Sequence, residues 1–554
     1  MNPRIRTDVL LLVAFCGFLF FYGLGSFGLI GADEPRYAQV AREMLQRHDW
    51  ITPTLHGAPW LEKPVLYYWQ AMLVTRVWRA FLPADAVPDP LSGSADQTAR
   101  LPSAIDAALM IALVYLFLRR FRPGTQIDGA LITASCAATI GFARAAATDM
   151  PLAAMFAIAM LGWYAWYESK RRMFSAVFYL FLALATLAKG PVALVLAAAI
   201  LLIFAAVNRE WPILLRTLWT PGIVLFLAVT LPWYITVQVN NPQFFRVFIL
   251  EHNLARFSQD LYHHRQPFWF FVPVLLLATM PWTLWLVLAI VDSAKSCFRS
   301  LQSGQEPRFA VFLLIWLAVP VVFFSASQSK LPGYILPSIP AGALLVTWYL
   351  AAKRGVGTRM PWPLATIHAI LCGGLVFAAL MSANIVVNRH LSRSAGVYIA
   401  GGIAAVVALG LAVALRSANG FRFVRFATLI PVVLGVAAIL KLATPSLDAK
   451  LSARPIAQTI RSFAKEDVPV AMNGATREQE FGLEFYLNRK VARYESGQVP
   501  PGNHVLVARQ GTLAELHPFL AGRKVSYLTN IPAQNVELYW IGAATGPSPT
   551  PPPH

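Results

Sequence analysis

Apolar runs close to the roughly 20 residues that carry a helix across a bilayer core recur thirteen times between residues 8 and 443. They lie near 8–27, 104–118, 127–146, 150–168, 173–188, 190–207, 220–238, 268–292, 309–326, 332–352, 362–386, 395–415 and 424–443. Inside lipid every backbone N–H and C=O must be satisfied internally, so runs of this length fold as helices. The composition agrees: 57% of the residues are apolar and 13% charged, against about 45–50% and 25% in soluble domains. The expected fold is a polytopic α-helical membrane protein. The opening MNPRIRTDV and its apolar run outline a signal peptide, but no small-residue cleavage site follows, so this run is read as a first helix that stays.

Lys and Arg in short loops mark the cytoplasmic side. With the N-terminus inside, alternate loops read RRFRPG (119–124), SKRRM (169–173), NREWPILLR (208–216), AKSCFRSLQSGQEPR (294–308), KRGVGTR (353–359) and RSANGFRFVR (416–425), all basic and almost free of acid. The mixed-charge, aromatic-rich loops fall on the other face: 28–103, 144–151, 188–191, 237–267 and 327–333. The tail after 443 joins them there. This arrangement describes a multi-pass membrane protein with its N-terminus cytoplasmic and its chemistry at the outer surface.

Residues 444–544 regain charge and carry strand-like runs, VPVAM, HVLVAR, KVSYLT and VELYWIG, among helix-compatible stretches such as AELHPFLAG. They predict a small α/β domain outside the membrane beside a membrane domain spanning 1–443, with 545–554 as a disordered Pro-rich tail. The four cysteines lie in expected helices or an inner loop, which suggests neither a disulfide framework nor a cysteine-based metal site. The net charge of +19 is partly the inside-positive signal. It points to anionic membrane lipids rather than to nucleic acid.

Chemistry is sought where charge meets the outer membrane surface. In GADEPRYAQVAREML (31–45), Tyr37, Ala41, Met44 and Leu45 share one helical face, which predicts an interfacial helix with Asp33 or Glu34 as its N-cap. PWLEKPVLYYW (59–69) wedges Glu62 and Lys63 between aromatics and prolines, with a second interfacial helix starting after Pro64. Each acidic or basic residue here has a plain alternative as a cap or a solvated pair. Asp149 opens the fourth span and could likewise be a cap. Lys189, alone between two apolar helices in LATLAKGPVALV, is a functional candidate at such depth, or a lysine that snorkels to headgroups. The loop 241–271 adds Arg246, Glu251, His252, Arg256, His263, His264 and Arg265, where the adjacent histidines face different ways and chelate poorly. Lys330 and Tyr334 stand about one turn apart in SQSKLPGYILP. Together these put carboxylates and surplus cations around one outer mouth. Fixed cations there suit the oxygens of a lipid phosphate.

The motifs DEPRY (33–37), EKP (62–64), AKGP (188–191), EHN..RF (251–257), HHRQPFW (263–269) and SKLPGYILP (329–337) resemble those of C-type-fold membrane glycosyltransferases. Among these the chain is most similar to the bacterial family that moves 4-amino-4-deoxy-L-arabinose from undecaprenyl phosphate onto lipid A, related to protein O-mannosyltransferases. The resemblance implies an inverting pentosyltransferase, acting as a monomer on a lipid-linked sugar and lipid A and conferring resistance to polymyxin-like peptides. It places the protein in a bacterial inner membrane with its C-terminal domain in the periplasm, and implies Asp33 as the essential acidic, catalytic residue, acting as a base or positioning the substrate according to the acceptor, with Arg36, Tyr37, Lys63, Asp149, Lys189, Arg265, Lys330 and Tyr334 binding substrate or phosphate. It also implies a divalent metal, zinc or magnesium, on Glu62 and His252. Transfer to a protein or glycan is the alternative within this chemistry; a flippase is the alternative outside it, although transporters tend to show paired repeats and midplane charges.

Overall fold

A computed structural model of the chain describes residues 3–81, 89–255, 266–303, 308–354, 360–388, 395–417, 420–464 and 468–543. Each of the thirteen apolar runs is helical. Among the described residues nine helices are long and apolar enough to cross a membrane singly, from Gly93–Phe121 to Gly420–Leu451. The other runs are shorter or broken. Val192–Val207 is a short apolar helix, and the first run is the helix Pro3–Cys16 continued by a π-turn at Gly17–Phe21.

Two expected single spans are bent. Gln126–Ser135 and Ala137–Ala143 meet at 67°, because Cys136 adopts an extended conformation and the Ala137 N–H leaves the helix to bond the Met280 carbonyl at 2.9 Å. Phe268–Ala278 and Thr283–Cys297 meet at 116°. The break at 279–282 presents its backbone to the 126–143 pair, so the two irregularities satisfy each other's polar groups, as hydrocarbon demands.

Asp149–Ser169 is the central helix, buried along its hydrophobic window. Its Trp163, Tyr164 and Tyr167 interlock with Phe204, Phe309 and Phe312 at ring separations of 4.7–5.7 Å. The helix Ala395–Leu415 is peripheral, with Ile399, Val406, Leu409 and Val413 exposed for contact with lipid.

The outer loop contains more helix than expected. Besides Asp33–Gln46 (the mouth helix) and Leu66–Arg79, the span Gly93–Phe121 starts ten residues before the expected loop ends. Between the first two lies a small hairpin, β1 (Thr54–Leu55) and β2 (Ala58–Pro59).

The last span runs on through a π-turn to Leu451. Beyond it, the four expected strands appear as β3 (Val470–Asn473), β5 (His504–Arg509), β6 (Val525–Ile531) and β7 (Val536–Ile541), joined by a short β4 (Ala492–Arg493). They form one sheet in the order β4-β3-β5-β7-β6, parallel on the β4 side and antiparallel on the β6 side. The helix Arg477–Leu487 (the domain helix) makes the crossover from β3 to β4. It opens with a capping box in which Thr476 and Gln479 bond each other's backbone N–H. Residues 545–554, expected to form a tail, lie outside the described residues.

Candidate functional site

Asp33 and Glu34 are neighbours with opposite fates. Neither is the N-cap that their position suggests: Ala32 occupies that place, without a side-chain bond. The helix is instead anchored by Glu34, which is buried. Its Oε1 accepts from the Ala146 N–H and Arg100 Nε, and its Oε2 from the Ile30 N–H and Arg100 Nη2, at 2.7–3.2 Å. Arg100 spends its remaining donors on the carbonyls of Leu24, Phe27 and Gly28, so all five of its N–H groups are satisfied. With Glu34 committed to this clamp, Asp33 points outward, its side chain 57% exposed and paired with the Arg36 guanidinium.

Arg36 is enclosed. The rings of Tyr37, Trp60 and Phe481 lie 5.3, 4.9 and 5.4 Å from its guanidinium carbon. Burial works against its charge, but Tyr37, Asp33 and Glu62 more than offset this and hold its pKa above the ordinary value. Burial, followed by Asp33, holds the Tyr37 hydroxyl well above its usual range, so it is a neutral donor. The charges of Asp33 and Asp149 both reach the Tyr37 hydroxyl, and its ring packs against Tyr67 and Tyr68 at about 6 Å. The expected interfacial helix is thus buried on most of its surface, because the hairpin and the C-terminal domain close over it.

Asp149 and Lys189 resolve each other's alternatives. Lys189 ends the helix Arg172–Lys189 and gives its Nζ to Asp149 Oδ1 at 2.6 Å, while the Tyr334 ring lies 5.0 Å from the ammonium. Asp149 does not cap its helix; Thr148 holds that position. Two glycines permit the approach. Gly190 has φ of +90° and a Cβ there would lie 2.6 Å from Phe248, while a Cβ on Gly333 would stand 2.7 Å from Asp149 Oδ1.

Glu62 Oε1 and His252 Nε2 are 3.8 Å apart, with both side chains largely enclosed. Among the described residues no group of three or more His, Cys, Asp or Glu converges as metal ligands. The pair therefore does not make a closed zinc site. The two side chains could hold an ion only where other groups complete its coordination. Lys63 is half-buried next to Glu62. Lys330 is buried and turned inward, its Nζ donating to the Ser327 carbonyl at 2.6 Å, so it braces the turn that carries Tyr334. Arg265, with His263 and His264, lies outside the described residues.

Some residues of the mouth carry no local signal. Trp60 had only its place in an aromatic run to mark it, and Phe481 arrives from the C-terminal domain. That domain is held by buried polar contacts. Tyr486 Oη donates to Asp96 at 2.6 Å and accepts from the Leu29 N–H at 2.7 Å; Arg454 pairs with Asp96 and Asp448; the Arg42 guanidinium donates to the Phe485 carbonyl; and His56 Nε2 stands 2.8 Å from Glu484. Burial opposes charge on His56, but Glu484 outweighs it and raises the pKa above its ordinary value.

A cavity of about 650 Å³, lined by Arg122, Tyr164, Glu168, Lys170, Arg308 and Trp348, opens elsewhere. Asp149 and Glu168 bracket one straight helix of 21 residues, so this cavity lies roughly 30 Å from the mouth. It gathers the basic loops at one end of the bundle. The acidic and basic site residues gather at the other, where they meet in one place, and that end is the candidate site.

A family model described as dolichyl-phosphate-mannose-protein mannosyltransferase matches residues 90–235. Undecaprenyl phosphate-alpha-4-amino-4-deoxy-L-arabinose arabinosyl transferase of Pseudomonas aeruginosa is 32% identical over 369 residues, 64% of this chain, and the match spans 62% of that relative's length. The protein of the same name from Pseudomonas savastanoi pv. phaseolicola is 30% identical over 404 residues, 72% of this chain and 70% of the relative. The crystal structure of ArnT from Cupriavidus metallidurans bound to undecaprenyl phosphate superposes with a TM-score of 0.74 at 22% identity, covering 98% of this chain and 99% of that one.

Proposed function

Because the chain belongs to the family of undecaprenyl phosphate-α-4-amino-4-deoxy-L-arabinose arabinosyl transferases and has the C-type glycosyltransferase fold, we propose that it transfers this sugar from undecaprenyl phosphate to a phosphate of lipid A. The observation that carries this reading is the convergence of Asp33, Arg36, Glu62, Asp149 and Lys189 around Tyr37 at one end of the bundle. With the basic loops in the cytoplasm, that end is periplasmic, where a lipid-linked donor replaces the nucleotide sugars of the cytosol.

In the proposed step an acceptor phosphate oxygen attacks C1 of the sugar as the C1–O bond to undecaprenyl phosphate breaks, inverting the anomeric centre. The electron pair of that bond leaves with undecaprenyl phosphate, whose negative charge grows in the transition state. Arg36, Lys63 and Lys189, held in advance, stabilise that growing charge more than they stabilise the bound donor. The acceptor phosphate is already an anion near neutral pH and needs no base. Asp33 therefore positions: it holds Arg36 and, from its exposed side, the amino group of the sugar. Tyr37 donates a neutral hydroxyl, and Tyr334 backs the Lys189 ammonium. Placing an amine on lipid A offsets a phosphate charge and weakens the attraction of polymyxin-like cations.

Purified protein in lipid, given donor and lipid A, is expected to transfer the sugar. Lys189→Ala should lower turnover about 10²-fold or more, since it removes a cation and leaves Asp149 unpaired. Transfer to a peptide or glycan but not to lipid A would sink the acceptor; no turnover of the donor with any acceptor would favour a lipid flippase.

Glu62 and His252 would hold a divalent ion, magnesium or zinc, that neutralises charge on the leaving phosphate when bound. EDTA is expected to slow transfer by about tenfold or more, with recovery on adding magnesium or zinc. Glu62→Ala should be equally slow and unresponsive to either addition. An unchanged rate in EDTA would remove the ion from the proposal.

A further inference from the structure

Among the described residues the C-terminal domain reaches the Arg36 guanidinium through Phe481. Arg36 is nearly closed off from solvent, with its side chain 8% exposed. Its Nε is buried with no hydrogen-bond partner among the described residues, and Asp33 engages only Nη2. Beside its hydrogen bonds to Asp33 and the Tyr37 hydroxyl, aromatic rings enclose this guanidinium. Tyr37 and Trp60 come from the outer loop, and Phe481 comes from the domain helix, about 440 residues further on. Buried cation–π contacts are the stronger kind, because water no longer competes for the cation.

A second stack runs beside the first: the Arg42 guanidinium lies 4.0 Å from the Phe485 ring centroid. Phe481 and Phe485 are four residues apart on one face of the domain helix. Arg42, Glu484 and Tyr486 make the polar contacts that dock this helix, as described above. Docking is thus supplied at 484–486, leaving Phe481, one turn earlier, to face Arg36. Arg477 is exposed and approaches the same ring at 5.7 Å, so its replacement controls for the loss of a surface cation beside the ring.

We infer that Phe481 is a positioning residue for the transfer reaction, holding the Arg36 guanidinium in the orientation in which it meets the donor phosphate. The inference rests on the function proposed above and assigns the C-terminal domain a part in the reaction. Leu fills much of the space of Phe but has no ring face, while Tyr keeps the ring.

The test is steady-state transfer by the full-length protein in lipid, with melting temperature recorded for each variant. Phe481→Leu should lower kcat/KM about tenfold, mainly through kcat, with little change in melting; Phe481→Tyr should stay within about threefold of wild type. In an Arg36→Gln background Phe481→Leu should have no further effect, because the group it orients is gone. Arg477→Gln should behave as wild type. Phe481→Leu as active as wild type, or a loss that multiplies with that of Arg36→Gln, overturns the inference while the parent reading stands. A wild type silent towards the donor overturns both.

Discussion

Asp33→Asn is expected to reduce transfer about 10²- to 10³-fold, the scale seen when one preorganised electrostatic group is removed from a reaction centre, while the protein melts almost where wild type does. The two halves of this expectation have separate grounds. The exchange keeps the shape of the side chain but removes the exposed charge that holds Arg36. The mouth helix survives it because Ala32 is its N-cap and Glu34 its anchor. An ion pair with one partner 57% exposed contributes about 0–1 kcal/mol to stability. Turnover beside a melting curve in the same detergent checks both. Asp33→Asn within tenfold of wild type would take Asp33 out of the site.

Arg100→Met should do the reverse, with a loss of about 3–5 kcal/mol of stability, the usual result of removing one partner of a buried pair. It strands the Glu34 carboxylate and leaves the carbonyls of Leu24, Phe27 and Gly28 without their donor. The measurement is melting and yield of the purified variant, together with Glu34→Gln and the double variant. The double variant should be more stable than Arg100→Met alone, since the stranded charge is gone. If Arg100→Met melts with wild type, Glu34 is not the anchor described above. Where both expected results are found, the adjacent acidic residues differ in kind: loss of Asp33 stops chemistry in a folded protein, and loss of the Glu34 clamp unfolds the protein.

This division shows what the chain discloses by itself. Run length and loop charge reveal the spans, the two faces and the mouth, because hydrocarbon thickness and the sidedness of Lys and Arg act on each segment separately. The lone Lys189 between apolar helices is visible for the same reason, since its solvation penalty is local. The choice between Asp33 and Glu34 is not visible. It depends on Arg100, 66 residues away, and on a turn at 146 that only tertiary packing brings near. Spacing marks both acids as caps, and Glu34 meets the need for an anchor in another way. The breaks at 136 and 279–282 escape a hydropathy reading because each is tolerated only in the presence of the other. Lys330 looks like a surface cation until its own turn supplies an acceptor. Phe481 and Trp60 look like ordinary apolar residues until they are seen around a guanidinium.

The docking of the C-terminal domain has a consequence for how the protein comes into being. Asp33, Arg36 and Asp96 leave the ribosome early, whereas Arg454, Phe481 and Tyr486, which close over them, come some 360 to 450 residues later. Until those late segments are made and delivered to the same side of the membrane, Asp96 lacks its partners and Arg36 lacks one wall of its box. A nascent chain therefore sits in the membrane with every span in place and an unfinished mouth, and competence arrives only with the last fifth of synthesis.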